Sequence, residues 1–180
     1  MRVVAGSAGG IPLRAPAGDA RPTMDRVKGA IFSSLGERTP GARVLDLFAG
    51  GGGLGIEALS RGCAAAVFVD NDARAVEAIR TNLEKASLRG EIRRMGAFEF
   101  LDRVAAPESF DLIFADPPYA GGHEANLLAS ASLRRCLARE GLFVLERAAA
   151  KAVPQTPWRP VRIKKYGATE VLFLELEPRL

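Results

Sequence analysis

The chain has 180 residues, the size of one ordinary domain, and its 48% hydrophobic and 26% charged content excludes a disordered polymer. A net charge of +4 and a pI near 9.4 lean only mildly toward a polyanionic partner. No apolar run approaches the roughly 18 residues of a membrane span, and no long apolar segment opens the chain, so a cytoplasmic protein without a membrane helix is expected.

The first 22 residues differ from the rest. Arg2–Ala5 and Ile11–Arg14 are expected as short strands around a turn carrying Gly6, Gly9 and Gly10, followed by the Pro- and Gly-rich link Ala15–Pro22. Residues 23–180 are expected to form one domain. Thr23 is the expected N-cap of a helix whose stripe is Val27, Ile31, Phe32 and Leu35. A strand–helix alternation then begins, with strands at Val44–Phe48, Ala66–Val69, Ile92–Met95, Phe110–Ala115 and Leu142–Glu146. Between them fall helices at Leu54–Ser60, Ala73–Ala86, Phe98–Val104 and Glu124–Leu137. Val161–Tyr166 and Glu170–Leu176 close the chain as a hairpin around Gly167. Such alternation implies an α/β fold whose parallel sheet carries an antiparallel strand toward one edge. Cys63 and Cys136 fall inside expected helices without metal-ligand spacing, and read as buried free thiols.

Two segments carry chemistry. The first runs from Val44 to Gly55, a strand followed by a glycine turn in which Gly50, Gly52 and Gly55 fit G-x-G-x-x-G; Asp70 follows at the end of the next strand. Asp46 selects the cofactor. A carboxylate beside the turn would repel the pyrophosphate of a dinucleotide, whereas S-adenosylmethionine brings an ammonium, a sulfonium and a ribose diol. Asp46 can face the ammonium and Asp70 the ribose hydroxyls. Phe48 and Ala49 complete the turn, and Ala97 and Phe98, after the third strand, can hold the adenine.

The second segment is Asp116-Pro117-Pro118-Tyr119, at the carboxyl end of a strand where ligands of open α/β sheets bind. An exocyclic amine on a nucleobase is a poor nucleophile because its lone pair is delocalised into the ring. A site that accepts hydrogen bonds from both of its N–H groups lets the nitrogen pyramidalise and aim that pair at a methyl group. Asp116 and the Pro117 carbonyl can be those acceptors, and Tyr119 offers a face for base stacking, worth about 1–3 kcal/mol. His123 is expected to be a bystander and Trp158 a packing residue.

Asp-Pro-Pro-Tyr is the hallmark of amino-methyltransferases acting on adenine N6, cytosine N4 or guanine N2. Arg21-Pro22-Thr23-x-Asp25-Arg26-Val27, the string from Asp46 through Glu57-Ala58-Leu59-Ser60-Arg61-Gly62, and Lys165-Tyr166-Gly167-x-Thr169 extend the likeness. Over nearly its whole length the chain resembles the bacterial 16S ribosomal RNA guanine-N2 methyltransferases. The resemblance implies a Rossmann-like class I methyltransferase sheet of order 3-2-1-4-5-7-6 with an N-terminal β-hairpin extension. It also implies methylation of guanine N2 in 16S rRNA of the small ribosomal subunit, without a metal. A monomer is expected.

The chain departs from that family in its hairpin, where Gly6-Ser7-Ala8-Gly9-Gly10-Ile11-Pro12-Leu13 lacks the usual aromatic and basic residues. Phosphate contacts then fall to Arg2, Arg14, Arg21, Arg26, Lys28, Lys164 and Lys165. Competing readings are an adenine-N6 methyltransferase of DNA or RNA, a nicotinamide oxidoreductase and a non-catalytic RNA-binding assembly factor. The second leaves Asp116 and Tyr119 without a role.

Overall fold

Short apolar stretches separated by amphipathic helices bury both faces of a sheet only by lying side by side between two helical layers. The computed structural model, which describes residues 1–16, 22–149, 152 and 157–177, has that arrangement. Arg43–Leu47 (β1), Ala65–Asp70 (β2), Glu91–Arg94 (β3), Phe110–Ala115 (β4) and Leu137–Ala148 (β5) run parallel. Thr169–Leu176 (β7) lies antiparallel beside β5, and Trp158–Tyr166 (β6) pairs antiparallel on its far side. The resulting order, β3-β2-β1-β4-β5-β7-β6, is the one expected.

Side-chain parity sorts the core. Val44, Phe68, Phe114 and Val144 face one layer, built from the N-terminal arm and helices Pro22–Leu35 (α1), Gly53–Ser60 (α2) and Ala73–Lys85 (α3). Leu45, Val69, Ile113 and Leu145 face the other, built from Ala97–Arg103 (α4), His123–Ala129 (α5) and Ala131–Cys136 (α6). Trp158 is buried in this second layer and donates its indole N–H to the Leu128 carbonyl at 2.8 Å, a packing role as expected.

Several elements differ from expectation. The helix expected over Glu124–Leu137 breaks at Ser130, which is extended (φ −65°, ψ 116°) and accepts the Leu133 N–H at 3.1 Å, capping α6. α1 opens at Pro22, ahead of Thr23; a proline fits a first turn, where its missing N–H has no helical partner. The side chain of Thr23 and the whole of Arg21 lie outside the described residues. The two arm strands reduce to one bridge between Arg2 and Pro12, because the Ile11 N–H turns back to the Ala8 carbonyl within the glycine turn and leaves no second pair to extend a ladder. Cys63 lies in the loop after α2 and only Cys136 is helical; both are buried free thiols, each pushed up to about 11 by burial. β6 carries a register shift between Pro160 and Arg162, at the outer edge of the sheet.

The arm is tied down by buried polar groups. Glu57, fully buried on α2, accepts the backbone N–H groups of Val4 at 2.7 Å and Ala5 at 3.0 Å. Its charge is met by Arg61 at 2.8 Å and Lys28 at 3.5 Å. Ser60 accepts the Ala8 N–H and donates to the Ala5 carbonyl. Asn82 on α3 grips Arg14 by both its N–H and its carbonyl, and also donates to the Gly51 carbonyl in the glycine turn. Removing one partner from a buried charged cluster costs about 3–5 kcal/mol. Glu57→Ala is therefore expected to lower unfolding free energy by about 3 kcal/mol or more in urea titration, whereas a loss under about 1 kcal/mol would contradict the anchoring role.

Candidate active site

β1 ends by turning sharply. Phe48 adopts φ 55°, a left-handed conformation that a bulky residue holds only when its surroundings enforce it. Enforcement comes from neighbours: the Ala49 N–H donates to the Val69 carbonyl, and the Gly50 N–H donates to Asp70 Oδ2 at 2.8 Å. Gly52, at φ 77°, then leads into α2. At Gly55 a Cβ would stand 2.3 Å from the Phe68 ring, so this glycine serves close helix–strand packing. Its N–H donates to Asp46 Oδ2 at 2.8 Å, beneath the turn.

Parity then gathers four acids. Asp46, Asp70, Asp116 and Glu146 come from the carboxyl ends of β1, β2, β4 and β5 and follow the side-chain parity of Val44, Phe68, Phe114 and Val144, toward the first layer. Asp46, Asp116 and Glu146 border a cavity of about 250 Å³ closed by Met1, Ala15 and Pro16 of the arm and by Val27 and Ile31 of α1. Phe48, Asp70, Asp116 and Glu146 also border a wider cleft of about 690 Å³, whose far wall is the β6–β7 turn, Tyr166–Thr169. Burial raises the Asp46 carboxyl to about 8, against a pull-down from the Gly55 N–H, and the neighbouring charges of Asp116 and Asp70 add to the rise. Lys28 also borders the arm-side cavity, but its ammonium is engaged by Glu57. The chamber is therefore short of available positive charge. It fits a ligand bearing an ammonium and a sulfonium, and disfavours a pyrophosphate.

The expected catalytic residues stand together at the cleft. Asp116 is exposed, Pro117 is buried and Tyr119 is 55% exposed, with its hydroxyl 3.1 Å from Thr169 Oγ1 across the cleft. That contact holds the ring against the terminal hairpin. Ala97 and Phe98 border neither cavity; Phe98 instead packs edge-on against Phe48 and stacks with His123, centroids 6.4 and 6.1 Å away. His123 thereby joins the tetrapeptide loop to the glycine turn, a link that a lone histidine in the sequence does not reveal.

The basic residues divide. Arg14, Arg26, Lys164 and Lys165 are exposed, and Arg2 is exposed beside Asp25 at 3.6 Å. Lys28 turns inward instead. It is buried, donates to the Arg2 carbonyl and pairs with Glu57, and burial lowers its pKa despite Glu57 and Asp25. Arg162, missed in the sequence, is exposed on β6 and shares a sheet face with Lys164, since their partners Phe173 and Val171 both lie in the first core. Glu146 was also missed, because its place depends on the pairing of β4 with β5, which local sequence does not encode. Among the described residues no cluster of His, Cys, Asp and Glu could hold a metal ion, and no helix is long and apolar enough to cross a membrane.

Known proteins resemble this chain in sequence and in fold. The family described as "Conserved hypothetical protein 95" matches residues 1–175. YlbH of Bacillus subtilis (strain 168) is 41% identical over 177 residues, 95% of this chain and 96% of that one. Ribosomal RNA small subunit methyltransferase D of Escherichia coli (strain K12) is 32% identical over 93% of this chain and 85% of its own length. Among solved structures, Escherichia coli yhhF superposes with a TM-score of 0.84 at 31% identity, covering 99% of each chain. Protein TTHA0928 of Thermus thermophilus gives 0.82 at 31%, covering 98% of this chain and 99% of its own.

The buried acid makes stability depend on pH. Asp46 ordinarily titrates near 3.8 and in the fold near 8, so its contribution is fully present below pH 3.8 and is lost as pH rises through about 8. Urea unfolding of the ligand-free protein between pH 5 and 8 should show declining stability that Asp46→Asn flattens; an unchanged slope in the variant would exclude Asp46 as the source.

Proposed function

The chain belongs to the family described as "Conserved hypothetical protein 95", and from that premise we propose that it transfers a methyl group from S-adenosylmethionine to the exocyclic N2 of a guanine in 16S rRNA of the small ribosomal subunit. The observation that carries this reading is the placement of Asp116-Pro117-Pro118-Tyr119 on the same cleft as the acid-lined glycine turn. The Escherichia coli relative named for small-subunit rRNA methylation supports the substrate class.

When bound, S-adenosylmethionine supplies an electrophilic methyl on a positively charged sulfur. The residues of the chain do the rest. Asp46 and the arm-side cavity suit the amino-acid end, Asp70 the ribose hydroxyls, and Phe48, backed by the Phe98 and His123 rings, the adenine. Asp116 and the Pro117 carbonyl accept the two N–H groups of the target amine, orienting its lone pair. Tyr119, steadied by Thr169, stacks on the base. The amine becomes cationic as it is methylated, and Asp116 is placed to stabilise that charge before the proton leaves to water. Arg2, Arg14, Arg26, Arg162, Lys164 and Lys165 contribute phosphate contacts, while Lys28 anchors the arm. The proposed setting is the cytoplasm and the proposed state a monomer; the monomer is supported by the exposed large apolar side chains among the described residues, Val4, Val104, Tyr119 and Val161, which fall on four different segments.

Incubation with labelled S-adenosylmethionine and unmodified small subunits, naked 16S RNA or DNA, followed by nucleoside mapping, tests the reading directly. Label is expected as N2-methylguanosine; N6-methyladenosine, or no label in any substrate, would refute it. Asp116→Ala should reduce transfer by about 100-fold or more while S-adenosylmethionine affinity stays within about threefold. Near-wild-type transfer by that variant would remove the role given to the carboxylate. Tyr119→Ala is expected to raise KM for RNA by about 5- to 150-fold, the equivalent of one lost stack, and an unchanged KM would exclude stacking.

A further inference from the structure

Glu146 is the acid that the transfer chemistry above leaves unused. Leu145 pairs with Ala115 in the parallel register of β4 and β5, so Glu146 and Asp116 leave adjacent strands side by side and toward the same layer. Glu146 borders the arm-side cavity, the wider cleft, and a third cavity of about 220 Å³ lined by Pro117, Pro118, Tyr119 and His123. It therefore adjoins the space around the tetrapeptide on both sides.

Nucleobase edges differ in what they offer such a pair of carboxylates. Guanine presents its N1–H next to its N2 amine, two adjacent donor groups. Adenine presents an N1 acceptor beside its N6 amine, and cytosine an N3 acceptor beside N4. One carboxylate, Asp116, serves the amine. A second carboxylate beside it gains a further hydrogen bond where the neighbouring ring nitrogen carries a hydrogen, whereas a ring acceptor would set lone pair against lone pair in a partly desolvated site.

We propose that Glu146 is the specificity-determining residue, accepting the N1–H of the target guanine and rejecting bases with an acceptor at that position. The inference rests on the guanine-N2 reading above. It assigns selection of the base to β5 and orientation of the reacting amine to the loop after β4. The neighbouring strand β7 places Val171 opposite Glu146, and Arg147 and Glu124 also line the third cavity.

The test uses small-subunit RNA carrying either guanine or 2-aminopurine at the position mapped by labelling. 2-Aminopurine keeps the exocyclic N2 amine but has an acceptor at N1. The wild-type protein should prefer guanine by at least about tenfold in kcat/KM, because sites built to hydrogen-bond a group reject analogues lacking it strongly. Glu146→Gln, near-isosteric and able to donate from its amide, should narrow or invert that ratio by at least about tenfold, with an absolute gain on 2-aminopurine. Equal use of the two bases by the wild-type protein overturns the proposal without any variant. So does a Glu146→Gln enzyme that loses rate equally on both, or keeps the wild-type ratio within about twofold. Failure of the underlying reading is distinguishable, since it shows as no label on guanine with the wild-type protein and removes the inference with it.

Discussion

Burying a carboxylate beneath the glycine turn is the constraint from which the site follows. Asp46 is 3% exposed and accepts the Gly55 N–H, a single neutral donor that compensates its negative charge poorly. Neighbouring Asp116 and Asp70 make ionisation harder still. Such an arrangement is costly in a fold that serves only its own stability. It becomes favourable when the missing counter-charge arrives with a ligand, and the selectivity of the chamber for cations over phosphates is then a property of the fold itself. Three features around it shape this chamber: the enforced φ of Phe48, the Asp70 grip on Gly50, and the close approach of Gly55 to Phe68.

The arm is the second half of that enclosure. Its apolar residues Val3, Ala8 and Leu13 join the same core as α1. Its backbone is held by Glu57, Ser60 and Asn82, while Met1, Ala15 and Pro16 wall the arm-side cavity. The Glu-Ala-Leu-Ser-Arg-Gly string that carried much of the sequence likeness thus has a physical purpose distinct from chemistry. Glu57 and Ser60 tie the arm down, Arg61 compensates Glu57, and Asn82 couples the arm to the glycine turn. Lys28, expected to meet phosphate, is drawn into the same network.

What was legible in the sequence followed periodicity and local chemistry. β4 was read to its residue limits, because a continuous apolar run bounded by Ser109 and Asp116-Pro117 leaves little freedom. The strand order came from family likeness, and the glycine turn from spacing. What stayed hidden depended on partners far apart in the chain. Glu146 acquires its place from the β4–β5 register, Lys28 its burial from Glu57, and His123 its ring contacts from Phe48 and Phe98. Ser130 is the opposite case: a local cap signal was present, but a helical apolar pattern running through it concealed the break.

The outer strand β6 joins two demands that usually compete. A strand at the margin of a sheet offers unpaired backbone groups to any other extended chain, and proteins guard such margins with proline, irregular pairing and charge. Here Pro160 and the register shift next to it interrupt the margin, and Arg159, Arg162, Lys164 and Lys165 line it. The cations to which the proposed function gives the docking of a polyanion also guard against two copies of the protein zipping together. On the proposed function, neutralising them weakens docking and invites aggregation at once, so solubility and recognition ask for the same charge at this margin.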